Sequence, residues 1–204
     1  MKGLKSGERL IKRLADAFFS TLFLLLFLPF ILLIILLLSL FDGTPIFFTQ
    51  VRVGLNKKTF DIYKFRTLKS EGSRRHDMPV ARDTKGRETK IGQFLRKTRL
   101  DELPQLLNIL RGDMSFVGPR PLPLSDVCNE NWLHNQPDDK KDIYRAWLEN
   151  RTLVMPGLTG RWQISNAPDS DLDNWVECDN WYLQHRSLLT DFKILLATPF
   201  AMFK

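Results

Sequence analysis

The 204-residue chain predicts a mainly helical α+β fold, in which a compact cytosolic domain is mounted on an N-terminal membrane helix. Three observations lead to this fold class. An uncharged run at residues 17–41 belongs in a lipid bilayer. Residues 46–53 and 59–65 are rich in β-branched and aromatic side chains and flank a turn, which predicts a short hairpin. Much of the remaining chain carries apolar residues at helical intervals.

The uncharged run contains the pair Leu28-Pro29 at its midpoint. A straight helix over this run would measure roughly 37 Å, so a single-pass span of a hydrocarbon core of about 30 Å is one interpretation. A break at Pro29 would instead leave two arms of roughly 18 Å, each too short to cross. Lysine and arginine residues flank both ends, which permits both ends on the cytoplasmic side. We predict a re-entrant (monotopic) helix in residues 1–45 and one domain in residues 46–204.

Charge and cysteine usage narrow the class of function. The formal net charge is +7 at pH 7 and the pI is about 9.5, which suits anionic lipid headgroups and phosphate-bearing ligands. Nucleic acid is not an expected partner, because the sequence has no zinc-finger or RNA-recognition motif. Cys128 and Cys178 lack metal-type spacing, so we interpret them as packing residues of a cytosolic domain.

Loops and helices follow the hairpin. Residues 71–87 are polar and charged and predict a surface loop. A helix that begins near Ile91 leads to an apolar helix bounded by Pro104 and Gly112. The last apolar segment is either a core helix or an amphipathic interfacial helix that lies on the membrane. The helices predicted in this part of the chain cover residues 138–150, 174–184 and 188–203.

The most informative segment, residues 98–121, places an acidic pair shortly before a basic loop. Asp101 and Glu102 lie at a predicted helix start, since Pro104 is tolerated only where backbone N–H groups have no partner within the helix. Asp101 read alone is a helix cap. Prolines on both sides stiffen the loop around Arg120. Acidic groups beside fixed cations form a layout for phosphate chemistry.

A second acidic cluster, Asp169, Asp171 and Asp173, offers a rival interpretation. Its overlapping D-x-D patterns are like those that hold a metal-nucleotide in glycosyltransferases, which would make the protein a metal-dependent, membrane-anchored glycosyltransferase. It fails as a calcium loop, because Asn174 and Asn180 replace the required Gly and Glu. An acidic first turn of a helix is the simpler explanation. A non-enzymatic, membrane-anchored binding module also stays open.

Several segments together resemble a known bacterial family. The longest match is the stretch DELPQLLNILRGDMSFVGPRP, which begins at Asp101. The chain thus resembles the monotopic phosphoglycosyl transferases, or bacterial sugar transferases, in their minimal single-domain form. The other matching pieces are KRLAD from Lys12, FTQVRVGL from Phe48, IYKFRTL from Ile62, TKIGQFLRKT from Thr89, PGLTG from Pro156 and LLTDFKIL from Leu188.

The resemblance implies an activity and its partners. Members of the family transfer a sugar-1-phosphate from a UDP-sugar to polyprenyl (undecaprenyl) phosphate and release UMP, as the first membrane step of glycoconjugate assembly. The implied cofactor is Mg²⁺. The implied location is the bacterial inner membrane, with the catalytic domain on the cytoplasmic face and in contact with membrane lipid. Self-association as a homodimer stays open, and a UDP-activated N-acetylated sugar is our expectation for the donor.

The resemblance also implies roles for individual residues. Asp101 matches the nucleophile, which would form a covalent phospho-sugar. Glu102 matches the second acid, and both carboxylates could reach one Mg²⁺ only at an irregular turn, because neighbouring residues of a regular helix diverge by about 100°. Arginine forks grip phosphate oxygens better than lysine does. The substrate-binding positions that the resemblance implies are Lys64, Arg66, Arg96, Arg120 and Pro121.

The chain departs from the family pattern at two places. Many members carry Ser-Pro at the membrane break, where this chain has Leu28-Pro29. A hydroxyl group that would stabilise the bend is therefore absent or replaced. After the PGLTG segment, Asn166-Ala167 replaces a common Gly-Arg pair, which removes a candidate sugar or phosphate contact.

Overall fold

The structure is a computed structural model that describes residues 4–69, 87–127, 133, 136–165 and 172–202. Within these residues the fold is mainly helical with two small sheets, in agreement with the predicted class. The helices are α1 (Ser6–Phe41), α2 (Lys90–Lys97), α3 (Gln105–Arg111), α4 (Leu124–Val127), α5 (Asp138–Asn150), α6 (Arg161–Ile164), α7 (Leu172–His185) and α8 (Leu188–Met202). The strands are β1 (Phe47–Val53), β2 (Thr59–Phe65), β3 (Ser115–Val117) and β4 (Gly157–Thr159), and 3₁₀ turns cover Leu55–Lys57, Leu100–Glu102 and Arg151–Leu153.

Helix α1 continues through Leu28-Pro29, so the predicted break into two half-helices is not seen. A proline removes one hydrogen bond from the helix ladder, but contacts with the domain on both sides of Pro29 hold the helical path. Leu28 and Pro29 are themselves exposed. Helix α1 is long and apolar enough to cross a membrane, with a mean hydropathy of 3.2 in its most apolar window.

One face of α1 packs against the domain in both of its halves. In the N-terminal half, Asp16 is buried and its Oδ1 accepts a hydrogen bond from the backbone N–H of Phe116 at 3.2 Å. In the C-terminal half, Ile34 and Leu38 share a buried cluster with residues of β2 and α2. The opposite face is apolar and exposed. Its exposed side chains include Leu14, Phe18, Leu22, Leu25, Leu32, Leu36 and Leu40.

Two guanidinium groups fasten α1 to the domain. Arg13 donates to the carbonyl oxygens of Ile109 at 2.6 Å and Leu110 at 2.7 Å, at the C-terminal end of α3. Arg66 follows β2 and donates to the carbonyl oxygens of residues 42–44, just after α1. A cation is favourable at the ends of α3 and α1, because the last carbonyl groups of a helix, here those of Ile109, Leu110 and the C-cap residue Asp42, carry partial negative charge.

The predicted hairpin forms, and β1 pairs with β2 along its full length in antiparallel register. Its connection includes Asn56 with a φ of 53°, a left-handed conformation that asparagine tolerates better than most residues. The fully buried Asn108 of α3 holds the hairpin through two hydrogen bonds to the backbone of β2. Its Nδ2 donates to the carbonyl oxygen of Asp61 at 2.7 Å, and its Oδ1 accepts from the backbone N–H of Tyr63 at 3.1 Å.

A parallel pairing of β3 with β4 was not predicted from the sequence. The sequence indicates only turns around Gly157 and Gly160, and strands of three residues are too short to show alternation. Close approach of the two segments requires glycine. A Cβ atom on Gly118 would lie 2.2 Å from the carbonyl oxygen of Met155. This pairing brings the loop at residues 119–121 against the start of β4.

The C-terminal helices follow the prediction closely. Helix α5 has the predicted bounds, and α7 begins at Leu172 rather than at Asn174. Helix α8 buries Ile194 but leaves Phe192 57% and Phe200 76% exposed, so it joins the core along one edge and exposes apolar side chains along the other. Its contact with a membrane stays a prediction.

Some predicted features fall on residues outside the described ranges. These are most of the polar segment at residues 71–87, Cys128, Asn166-Ala167, Asp169 and Asp171. Cys178 is a buried free thiol, which confirms its interpretation as a packing residue.

We expect Asn108→Ala to lower the free energy of unfolding by about 1–3 kcal/mol, because it removes a fully buried amide and leaves the part-buried backbone groups of Asp61 and Tyr63 without that partner. Thermal unfolding in detergent measures the change. The control is Asp142→Ala at an exposed position of α5, which should change stability little. Equal stability of the two variants would contradict the assigned role of Asn108.

Candidate functional site

The acidic pair lies in the 3₁₀ turn Leu100–Glu102, between α2 and α3. The turn follows Arg99, which has a left-handed φ of 58°, and both carboxyl residues are buried. Asp101 does not cap α3, whose N-cap position is Pro104 and has no side-chain hydrogen bond. The predicted irregular turn is therefore confirmed.

Two cations hold Glu102. Lys64 of β2 donates to Glu102 Oε1 at 2.6 Å, and Arg120 Nη2 donates to the same oxygen at 3.0 Å. Burial raises the pKa of Glu102, but the charges and hydrogen bonds of Lys64 and Arg120 outweigh it and hold that pKa well below its usual range. Glu102 is therefore ionised at neutral pH.

Asp101 is held less tightly than its neighbour. Its Oδ2 lies 4.0 Å from Lys64 Nζ, beyond hydrogen-bonding distance. Burial raises the pKa of Asp101, and the charge of Glu102 adds to that effect, while Lys64, Arg96 and Arg120 oppose it. A carboxylate with loose contacts beside several cations is suited to attack an electrophile that carries negative charge.

The basic loop at residues 119–121 is fixed through three successive carbonyl oxygens. The carbonyl of Pro119 accepts from the backbone N–H of Gly157 at 2.9 Å. The carbonyl of Arg120 accepts from Arg151, and that of Pro121 accepts from Arg52 Nη1 at 2.8 Å. The backbone is thus immobilised, and the side chain of Arg120 extends to Glu102.

Sequence reasoning missed Arg52 and Arg151. Both are buried. Burial and the nearby charge of Arg120 lower the pKa of Arg52 to about 10, while Arg151 forms an ion pair with Asp179 at 3.3 Å. Arg52 lies within the matching segment FTQVRVGL, but neither residue has a local pattern that reveals its contact with the loop.

The remaining predicted residues are distributed around the domain. Arg96 Nη1 pairs with Glu88 Oε1 at 2.5 Å, and its charge also acts on Asp101. Arg66 contacts the backbone after α1. The structure brings together Lys64, Asp101, Glu102 and Arg120, with Pro121 in the supporting loop. Substrate binding by Arg66 and Arg96 stays a prediction.

The described part of the rival acidic cluster has structural contacts. Asp173 accepts from Lys140 Nζ at 2.5 Å and from Tyr144 Oη at 2.7 Å, and so ties α7 to α5. Among the residues that the structure describes, no group of three or more His, Cys, Asp or Glu side chains could hold a metal ion.

Comparisons with known proteins identify the family of the chain. The family model described as "Bacterial sugar transferase" matches residues 7–204. The chain is 40% identical over 163 residues to an uncharacterised sugar transferase, EpsL, of Bacillus subtilis, with coverage of 76% of this chain and 69% of the relative. It is 34% identical over 208 residues to the undecaprenyl-phosphate galactose phosphotransferase of Salmonella typhimurium, with coverage of 95% and 40%.

A third relative is the UDP-glucose:undecaprenyl-phosphate glucose-1-phosphate transferase of Escherichia coli. The identity is 37% over 210 residues, with coverage of 98% of this chain and 42% of the relative. The chain therefore spans less than half of the length of the Salmonella and Escherichia proteins, although these matches cover almost all of this chain. Because the family model matches nearly its whole length, the chain belongs to the bacterial sugar transferase family.

Proposed function

We propose that the protein transfers a sugar-1-phosphate from a UDP-sugar to undecaprenyl phosphate and releases UMP, at the start of polysaccharide assembly. Family membership supports this function. Relatives are named for transfer of galactose phosphate, glucose-1-phosphate and N-acetylgalactosamine phosphate with undecaprenyl phosphate. Which sugar this chain uses stays open.

The observation that carries the proposal is the acidic pair buried against Lys64 and Arg120. Two phosphate-bearing substrates repel a carboxylate nucleophile unless cations offset their charge. Fixed cations in a site with little water stabilise that charge more strongly than they would in bulk water. In this proposal Lys64 and Arg120 supply the offsetting charge from the places beside Glu102 where the hairpin and the basic loop hold them.

The proposed reaction has two displacements at one phosphorus atom. An oxygen of Asp101 attacks the β-phosphorus of the UDP-sugar, and the bond to the α-phosphate oxygen breaks, so that UMP leaves with the bonding electrons. A phosphate oxygen of undecaprenyl phosphate then attacks the same phosphorus. The acyl-phosphate bond breaks, which restores the carboxylate of Asp101 and yields undecaprenyl-diphosphate-sugar.

The carboxylates fit a magnesium ion. Mg²⁺ is commonly bound by one or two carboxylates, with its other ligands taken from water and substrate phosphates, and Asp101 with Glu102 is such a donor set. We propose that these two residues hold Mg²⁺. When bound, the ion would neutralise phosphate charge and orient the diphosphate.

We also infer a monotopic arrangement with the domain on the cytoplasmic face. The support is that α1 contacts the domain in both halves, through Asp16 near one end and Leu38 near the other. A domain that lies alongside the helix would have to enter the bilayer if α1 spanned it. A helix that lies in one leaflet leaves its apolar outer face in lipid and keeps the domain in water.

Nucleotide analysis separates the proposal from its two alternatives. Purified protein is mixed with undecaprenyl phosphate and a panel of UDP-sugars, and the released nucleotide is identified. The proposed transferase releases UMP, a glycosyltransferase that uses the second acidic cluster releases UDP, and a binding module releases neither.

We expect Asp101→Asn to reduce UMP release to below about 1% of wild type, because the amide cannot form the phospho-sugar. Labelled sugar-phosphate should be trapped on the wild type and not on the variant. The control is Asp61→Asn, at an exposed aspartate of the hairpin, which should retain activity. Substantial turnover by Asp101→Asn would remove Asp101 from the role of nucleophile.

We expect Glu102→Gln to raise the Mg²⁺ concentration needed for half-maximal rate by about 10- to 100-fold. The control is Glu149→Gln, whose carboxylate is exposed and 3.9 Å from Lys57 Nζ. Thermal unfolding tests whether the variant keeps its fold with Lys64 and Arg120 deprived of their partner. An unchanged Mg²⁺ titration would show that Glu102 is not near the ion.

We expect cysteines placed at Lys5 and Thr44, in a background without Cys128 and Cys178, to be protected from an impermeant thiol reagent in intact cells. Both positions should react after the cells are opened, because both flanks of α1 face the cytoplasm in the monotopic arrangement. Reaction of either position from outside would indicate a spanning helix and leave the catalytic proposal intact.

A further inference from the structure

Phe48 borders the site on the same face of the hairpin as Lys64. The two residues are directly opposite each other in the register of β1 and β2. Cross-strand partners share one face of a sheet, and their Cβ atoms lie about 4.5–5.5 Å apart. Lys64 Nζ is 2.6 Å from Glu102 Oε1 and 4.0 Å from Asp101 Oδ2, so Phe48 is the cross-strand neighbour of a residue that contacts the acidic pair.

Phe47 and Phe48 are both exposed, Phe47 by 44%, but they lie on opposite faces of the hairpin because successive strand residues alternate. The ring of Phe47 stacks on Phe65 with centroids 5.5 Å apart. Gln50, the next residue on the face of Phe48, is buried and accepts from Arg52 Nη2 at 2.6 Å. Phe48 remains 42% exposed. The face therefore changes from buried polar groups to an exposed aromatic ring towards the open end of the hairpin.

That open end of the hairpin lies next to the C-terminal end of α1. The backbone N–H of Arg66 donates to the carbonyl oxygen of Ile46 at 2.8 Å, and its guanidinium group binds the carbonyl oxygens of residues 42–44. The last turn of α1 exposes Leu40 and Phe41. Phe48 thus lies beside a charged residue of the site and two residues along the chain from Ile46, at the end of the hairpin near α1.

Undecaprenyl phosphate, the acceptor of the proposed reaction, has to lie across a border between a charged site and an apolar surface. Its phosphate must reach Asp101 while its prenyl chain remains in the lipid, so the isoprene units next to the phosphate leave the site at an apolar border. We infer that Phe48 contacts the prenyl chain of the acceptor next to its phosphate. This inference rests on the proposed function and assigns a contact residue for its lipid substrate.

The two half-reactions test this assignment separately. Protein in lipid nanodiscs is first loaded with labelled sugar-phosphate from the most active UDP-sugar of the panel, and is then mixed with undecaprenyl phosphate. We expect Phe48→Ala to load at the wild-type rate but to need about 5- to 20-fold more acceptor for half-maximal capture, since an apolar contact is lost. Phe48→Leu keeps an apolar side chain and should lie closer to wild type.

The matched control is Phe192→Ala, which removes an exposed phenylalanine of α8 and should leave both steps unchanged. Equal slowing of loading and capture in Phe48→Ala would indicate a structural role and overturn the inference. Slower loading alone would place Phe48 against the nucleotide-sugar and overturn it too. An unchanged acceptor dependence would have the same consequence.

A binding measurement distinguishes failure of this inference from failure of the proposed function. Undecaprenyl phosphate is titrated without a UDP-sugar, and weaker binding to Phe48→Ala than to wild type is expected. That result would support the assignment even if no sugar-phosphate were trapped on Asp101, in which case the covalent mechanism alone would fail. Equal binding to both proteins would overturn the assignment.

Discussion

The buried carboxylate of Glu102 joins three segments that are separate in the chain. It belongs to the 3₁₀ turn before α3, and its partners are Lys64 of the hairpin and Arg120 of the basic loop. A buried charge without a partner is strongly unfavourable. Glu102 can therefore be buried only when the hairpin and the basic loop both lie beside it. This requirement determines the arrangement of the site.

The basic loop in turn depends on arginines that never reach the acidic pair. Arg52 and Arg151 hold its carbonyl oxygens, and Arg151 is itself stacked over Trp147 and paired with Asp179. Helices α5 and α7 thus support Arg120 through one buried cation. Arg52 and Arg151 thus bind the backbone of the basic loop, and Arg120 binds the carboxylate of Glu102.

Local signals in the sequence predicted the local parts of this architecture. β-Branched and aromatic residues on both sides of a turn predicted the hairpin, Pro104 and Gly112 bounded α3, and the acidic pair was expected at an irregular turn. The parallel pairing of β3 with β4 depends on contacts between distant glycines, which no window of sequence shows. The continuity of α1 through Pro29 is likewise non-local, because the domain holds the helix on both sides.

The packing of α1 bears on how the protein can be made and handled. Ile34 and Leu38 belong to the same buried cluster as Phe65 and Leu95, and Arg13 completes the end of α3. Helix α1 therefore also forms part of the hydrophobic core. A fragment without α1 would expose apolar surface that the intact chain buries, so α1 is a structural part of the domain and not a detachable segment.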